Sequence, residues 1–189
     1  MATRTVLASC VLACAIASAS RAHADDRIRV GGTATLGNDG FFNDLSVAAW
    51  SPGADLRIAV PLAMWTSVGA AVGYQHVVRN PLFATSPVPA RDVGYVWLEW
   101  SAYAPLAAGR LELGGRLALG WAHAFTSELK GGPAAAIHGT AAYWGTSHLA
   151  ATLEMGASIA LFSTTNDPDG AKPEGLGLVF VKVGVLTRF

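Results

Sequence analysis

The last fifteen residues, Gly175 to Phe189, read G-L-G-L-V-F-V-K-V-G-V-L-T-R-F and alternate with a period of two. Val179, Val181, Val183, Val185 and Phe189 fall on one face. Phe180, Lys182, Gly184, Leu186 and Arg188 fall on the other. Successive side chains of a strand point to opposite sides, so this segment is expected to be a β-strand with one mostly apolar face and one face carrying two charges. Seven further segments of the same kind would make an eight-stranded sheet.

The opening segment is expected to be a cleavable signal peptide, residues 1–24. Arg4 gives a positive start, Val6 to Ala19 is an apolar run of small residues, and Ala22-His23-Ala24 is an A-x-A cleavage site. Cys10 and Cys14, the two cysteines, lie inside it. The mature chain, 25–189, is thus expected to lack disulfides, thiolate metal sites and cysteine nucleophiles. Removing Arg4 and Arg21 from the 13 basic residues leaves 11 against 13 acidic ones, a formal charge near −2. No basic excess exists to recruit nucleic acid.

The chain is 52% hydrophobic and only 14% charged. Yet no stretch after residue 24 approaches the roughly 20 apolar residues that a membrane helix needs. A closed barrel is the other structure that satisfies every backbone group in lipid.

The alternation supports that architecture along the whole mature chain. Strands are expected at about Arg27–Leu36, Ala54–Leu62, Trp65–His76, Val93–Ala104, Arg110–His123, Ala135–Tyr143, His148–Phe162 and Gly175–Phe189. Asn38-Asp39-Gly40 is expected to break the first; a loop then runs through Phe41, Phe42 and Trp50 to Ser51-Pro52-Gly53, with Leu45 to Trp50 alternatively extending a strand, and Pro61 is expected to end the second. Short connections near residues 63, 107 and 145 alternate with long ones near 45, 85, 128 and 168. Short turns at one end and long loops at the other are the arrangement of a transmembrane barrel.

Alternation alone leaves open which face points inward. A soluble lipocalin-like barrel is apolar inside and needs a charged, wetted exterior. Here the less apolar face is mainly Gly, Ala, Ser and Thr, which suits the narrow interior of eight strands. Tyr74 and Trp121 fall near the loop ends of the apolar face; Trp100, Tyr143 and Phe189 fall near the turn ends, with Trp65 and Trp144 close by. Two aromatic belts framing an aliphatic band are the interfacial pattern. The charges left to line the lumen are Arg29, Arg57, Glu99, Glu112, Arg116, Glu154, Lys182 and Arg188. In so narrow a space they are expected to pair and plug the barrel rather than line a pore.

Together the leader, the eight alternating segments and the terminal Phe189 resemble the small outer-membrane barrels of the OmpA/OmpX type. The resemblance implies an all-β, eight-stranded antiparallel up-and-down transmembrane barrel in the bacterial outer membrane, with both termini on the periplasmic side. It also implies outer-membrane lipid and the barrel-assembly machinery as partners, with Phe189 as the assembly signal. Thr187 departs from that pattern, being polar where the closing strand is usually apolar. No cofactor and no nucleic-acid partner are expected.

A catalytic reading finds little. His148, Glu154 and Ser158 share a parity, but steps of six and four residues separate them by roughly 20 and 13 Å at strand rise, too far for a triad. His76, His123, His138 and His148 show no H-x-H or H-x-x-x-H spacing. Asn166 to Gly170 resembles part of a calcium loop without its terminal Glu. The expected role is non-enzymatic, structural or surface-interacting. The alternatives are a narrow channel, a hydrophobic-ligand barrel, a soluble lipocalin-like binder and a lipid-modifying enzyme.

Overall fold

In the computed structural model, the described residues are 27–41, 44–63, 65–77, 91–125, 129–164 and 173–189. The expected leader and the Asn166–Gly170 segment lie outside them. Eight long strands carry the fold: β1 (Arg29–Phe41), β2 (Asp44–Ala63), β3 (Thr66–Val77), β4 (Arg91–Leu106), β5 (Leu111–Ala124), β6 (Gly132–Trp144), β7 (Leu149–Thr164) and β8 (Pro173–Arg188). Each pairs antiparallel with its neighbour in sequence, and β8 pairs back onto β1. The sheet therefore closes, and no long strand is left with an unpaired edge. A two-residue strand, Leu129–Lys130, extends the β6 side of the sheet against Thr164 and Ser163.

Closure is sealed where the chain ends meet. Arg29 stands opposite Arg188, and the Phe189 amide donates to the Ile28 carbonyl at 3.0 Å. Thr187, the polar interruption in the outer series, donates its hydroxyl to the Val30 carbonyl at 3.0 Å. A backbone acceptor thus satisfies the group that a lipid-facing position would leave dry.

Three sequence expectations change. The first hairpin is not a long loop: β1 runs to Phe41 and β2 starts at Asp44, so the alternative in which Leu45 to Trp50 extends a strand holds. Asn38-Asp39-Gly40 does not end the strand, because register shifts between Asn38 and Gly40 and between Gly40 and Phe41 absorb the irregularity while pairing continues. Pro61 remains inside β2, next to a shift between Pro61 and Ala63 where a missing N–H is tolerated. The turn after β4 is tight, with positive φ at Ala107 (48°), Ala108 (56°) and Gly109 (81°).

The pleat sorts side chains as the alternation implies. Outward positions carry Ile58, Val72, Leu98, Leu117, Met155 and Val183, all exposed. Inward positions carry the charges, the small residues and, at the loop end, large apolar groups. Gly120 shows why small residues are needed inside: a Cβ there would run into the Val96 carbonyl and lie 2.9 Å from the Trp97 ring. An inside-out, lipocalin-like barrel with an apolar interior and a charged exterior is overturned by this distribution.

Candidate functional site

The lumen is built in three layers, and their order follows from register. At the loop end, Val77, Val93, Ala122, Ala124, Phe162 and Leu176 are buried together with Tyr95 and Trp97. The Tyr95 and Trp97 rings stack at 5.3 Å with planes 8° apart. Gln75, buried in the same region, donates to the Ser51 carbonyl at 3.2 Å. This layer is a packed apolar cap, resembling the core of a soluble protein. The sequence reading missed it: these residues share parity with lumen positions, but only the alignment of strands shows that they gather at one depth.

Below the cap lies a charge layer. Glu154, fully buried on β7, receives both Arg57 of β2 and Arg116 of β5. Arg116 Nε lies 3.2 Å from Glu99 Oε1, and its Nη2 lies 2.9 Å from His138 Nδ1. The same Nδ1 lies 3.4 Å from Glu154 Oε2, so His138 stands between the guanidinium and the carboxylate. Toward β8, Lys182 Nζ meets Asp55 Oδ2 at 2.6 Å and stands 4.6 Å from the Phe180 ring centre. Asp55 also accepts from Thr33 at 3.2 Å and Thr35 at 3.3 Å.

The turn end forms the third layer. Arg29 donates to Glu112 at 2.7 and 3.4 Å, a two-pronged pair that fixes the guanidinium plane. Its guanidinium carbon sits 4.1 Å from the Tyr103 ring centre and 5.7 Å from that of Trp144. Arg188 lies 4.1 Å over the other part of this cluster, Trp144, and donates from Nε to the Ser147 carbonyl at 2.7 Å. Between this floor and the charge layer is a cavity of about 60 Å³, lined by Arg29, Ser67, Ser101, Tyr103, Glu112 and Thr152 among others. The Ser67 and Ser101 hydroxyls are 2.6 Å apart.

Seven of the eight charges singled out from sequence thus meet inside: Arg29, Arg57, Glu99, Glu112, Arg116, Glu154 and Lys182. Arg188 stays at the turn-end rim, half-buried. Asp55 and His138 were missed, although both share the parity of lumen-facing neighbours. Among the described residues the lumen holds Arg29, Arg57, Arg116 and Lys182 against Asp55, Glu99, Glu112 and Glu154, a neutral set. Trp144 is also corrected. It is 3% exposed and turned inward, because Tyr143 beside it points out and two arginines offer cation–π partners.

The other sequence candidates are dispersed. His148 sits in the exposed turn before β7, 3.1 Å from the Arg188 carbonyl, while Glu154 lies in the charge layer and Ser158 above it. His76 is at the loop end, with Nδ1 2.6 Å from Asp92 Oδ1, and Tyr74 donates to the same oxygen at 2.6 Å. Hydrogen bonds from His76 and then Tyr74 hold the Asp92 carboxyl below the ordinary carboxylate range. His123 packs edge-on to Phe125. Among the described residues, no three His, Cys, Asp or Glu side chains are placed to hold a metal.

No family model matches the sequence, and no curated protein does. Solved structures of similar shape are small outer-membrane barrels. Neisserial surface protein A matches with a TM-score of 0.57 at 12% identity, over 86% of this chain and 97% of that one. The outer membrane protein OprG from Pseudomonas aeruginosa matches with a TM-score of 0.58 at 12% identity, over 89% and 98%. Ail, the attachment invasion locus protein of Yersinia pestis, matches with a TM-score of 0.51 at 13% identity, over 88% and 100%. At such identities the likeness is one of fold: a closed, eight-stranded, antiparallel barrel.

Proposed function

We propose that this chain is a non-enzymatic barrel of the bacterial outer membrane, closed to ions, which supports the envelope or presents its loops at the surface. The observation that carries the reading is the two-sided sorting of the sheet. Leu56, Val72, Val96, Leu119, Met155 and Val183 face outward, an aqueous liability that only an apolar surrounding removes. Trp121 and Tyr74 frame this band at the loop end; Trp65, Tyr143 and Phe189 frame it at the turn end. Phe189, as the exposed last residue of the closing strand, is the proposed signal to the assembly machinery. The shape shared with a protein named for attachment supports a surface role for the loop end.

Closure to ions rests on the two upper layers. An ion would have to part the Arg57–Glu154–Arg116 cluster and then cross a dry apolar cap, and both steps are costly. The test has two arms. Membrane fractions run on a gel with and without boiling should show a heat-dependent shift in the outer-membrane fraction. Purified protein in planar bilayers should show no unitary conductance. A soluble protein without a shift overturns the membrane reading; steady conductance replaces the closed barrel with a channel.

A further inference from the structure

The outer face is not evenly filled. On β5, β6 and β7 the outward residues stand in two adjacent rows, Leu119–Ala135–Ile159 and Leu117–Ile137–Ala157. Ala135 and Ala157 therefore occupy one diagonal of a four-residue square, and Ile137 and Ile159 the other. Two methyl groups between two branched side chains leave a slot, with Leu117 and Leu119 closing the β5 side. Its volume is about 520 Å³, and those six outward residues line it together with Ala118, Ala136 and Ser158 of the inward parity. By contrast, the outward series of β8 is an unbroken ridge of valines, Val179 to Val185, all exposed.

We infer that this slot is a fixed binding site for one acyl chain of a membrane lipid. The inference rests on the outer-membrane reading above. The slot is continuous with the lipid-facing band and lies between Trp121 at one end of that band and Tyr143 at the other. The outward residues around the slot are all hydrocarbon; Ser158, which also borders it, has the inward parity of β7 and borders the lumen beside His138 and Lys182 as well. An alkyl chain in the slot is walled on both sides, whereas one lying on the valine ridge touches protein on one side only, so dispersion contacts favour the slot. The chain held there exchanges more slowly than its neighbours in the bilayer.

Native mass spectrometry of the barrel released from dioleoylphosphatidylglycerol vesicles tests this. Wild type and a Val183→Phe control should each retain one lipid at collision energies that strip the rest. Ala135→Phe and Ala157→Phe, which fill the slot, should reduce that retained population about tenfold, as should Ile137→Ala, which removes a wall without adding bulk. All four substitutions are on the outer face; the heat-dependent gel shift checks that each barrel is folded. Equal retention by every variant, or no retained lipid in wild type, overturns the slot while a preserved gel shift leaves the membrane reading standing. A covalent dimer from Ala157→Cys and a bis-maleimide in the same vesicles also overturns it, by making a second copy the occupant. Failure to enter vesicles, with no gel shift, removes the membrane reading itself and the slot with it.

Discussion

Arg116 of β5 and Glu154 of β7 are ion-paired across the intervening β6, where His138 stands directly opposite Arg116 and bonds the same guanidinium. Three consecutive strands are thereby tied on their inner face, and Arg57 reaches the same carboxylate from β2. The cluster fixes strand register more than it adds net stability, since desolvation offsets much of the attraction in a buried pair.

Glu154→Ala should leave two buried arginines without their shared partner. A loss of about 3–5 kcal/mol is expected for breaking a buried pair in this way. The urea midpoint of folding into lipid vesicles, followed by tryptophan fluorescence, measures it. A loss below about 1 kcal/mol, the range of exposed pairs, would mean that water reaches the cluster.

Trp97→Ala should cost about 3–5 kcal/mol by opening a cavity in the apolar cap, in the manner of any large-to-small core change. The ring is buried and stacked on Tyr95, and Gly120 opposite it leaves no side chain able to collapse into the space. The same urea titration reads the loss. The bilayer should remain silent, because the charge layer below is intact.

Leu98→Arg places a charge on the outward face in the middle of β4 and should cost about 2–4 kcal/mol if that face meets hydrocarbon. In vesicles the folding midpoint should fall accordingly. An unchanged midpoint would show that Leu98 faces water.

Asp92 pairs with His76, two pairs beyond the Tyr74–Gly94 row, at the loop end of the sheet. Its carboxyl is held below its ordinary value of 3.8 by hydrogen bonds from His76 and Tyr74. A lowered folded-state value favours the folded arrangement above the unfolded-state value, and that contribution is lost as pH falls through the folded one. Fraying of this end is therefore expected only below about pH 4. Exchange of the Phe125 amide, which donates to the Asp92 carbonyl at 2.9 Å, reports it. Asp92→Asn should abolish that acid step; an unchanged step would assign it to another carboxylate.

Much of the site was legible as parity. Glu99, Glu112, Arg116 and Glu154 each sit in an alternating segment, and a strand cannot turn one of its residues without turning all of them. Strand ends were less legible. Asn38-Asp39-Gly40 and Pro61 carry turn chemistry, yet partner strands held them in the sheet through local register shifts. The clustering of aromatics near the turns points Trp144 to the outer belt. Its inward turn depends on Arg29 and Arg188, which approach from strands far away in the chain.

From the residues alone come the eight alternating segments and, within each, which residues share a face. The reason is that a pleated backbone has a strict period of two, which survives any arrangement of neighbours. The folded barrel adds which inward residues share a depth: that Arg29 meets Glu112 across 83 positions, that Lys182 meets Asp55 across 127, and that Tyr95, Trp97 and Phe162 close one end. Depth is set by the stagger between paired strands and by closure of β8 onto β1, and these are properties of the whole sheet rather than of any one segment.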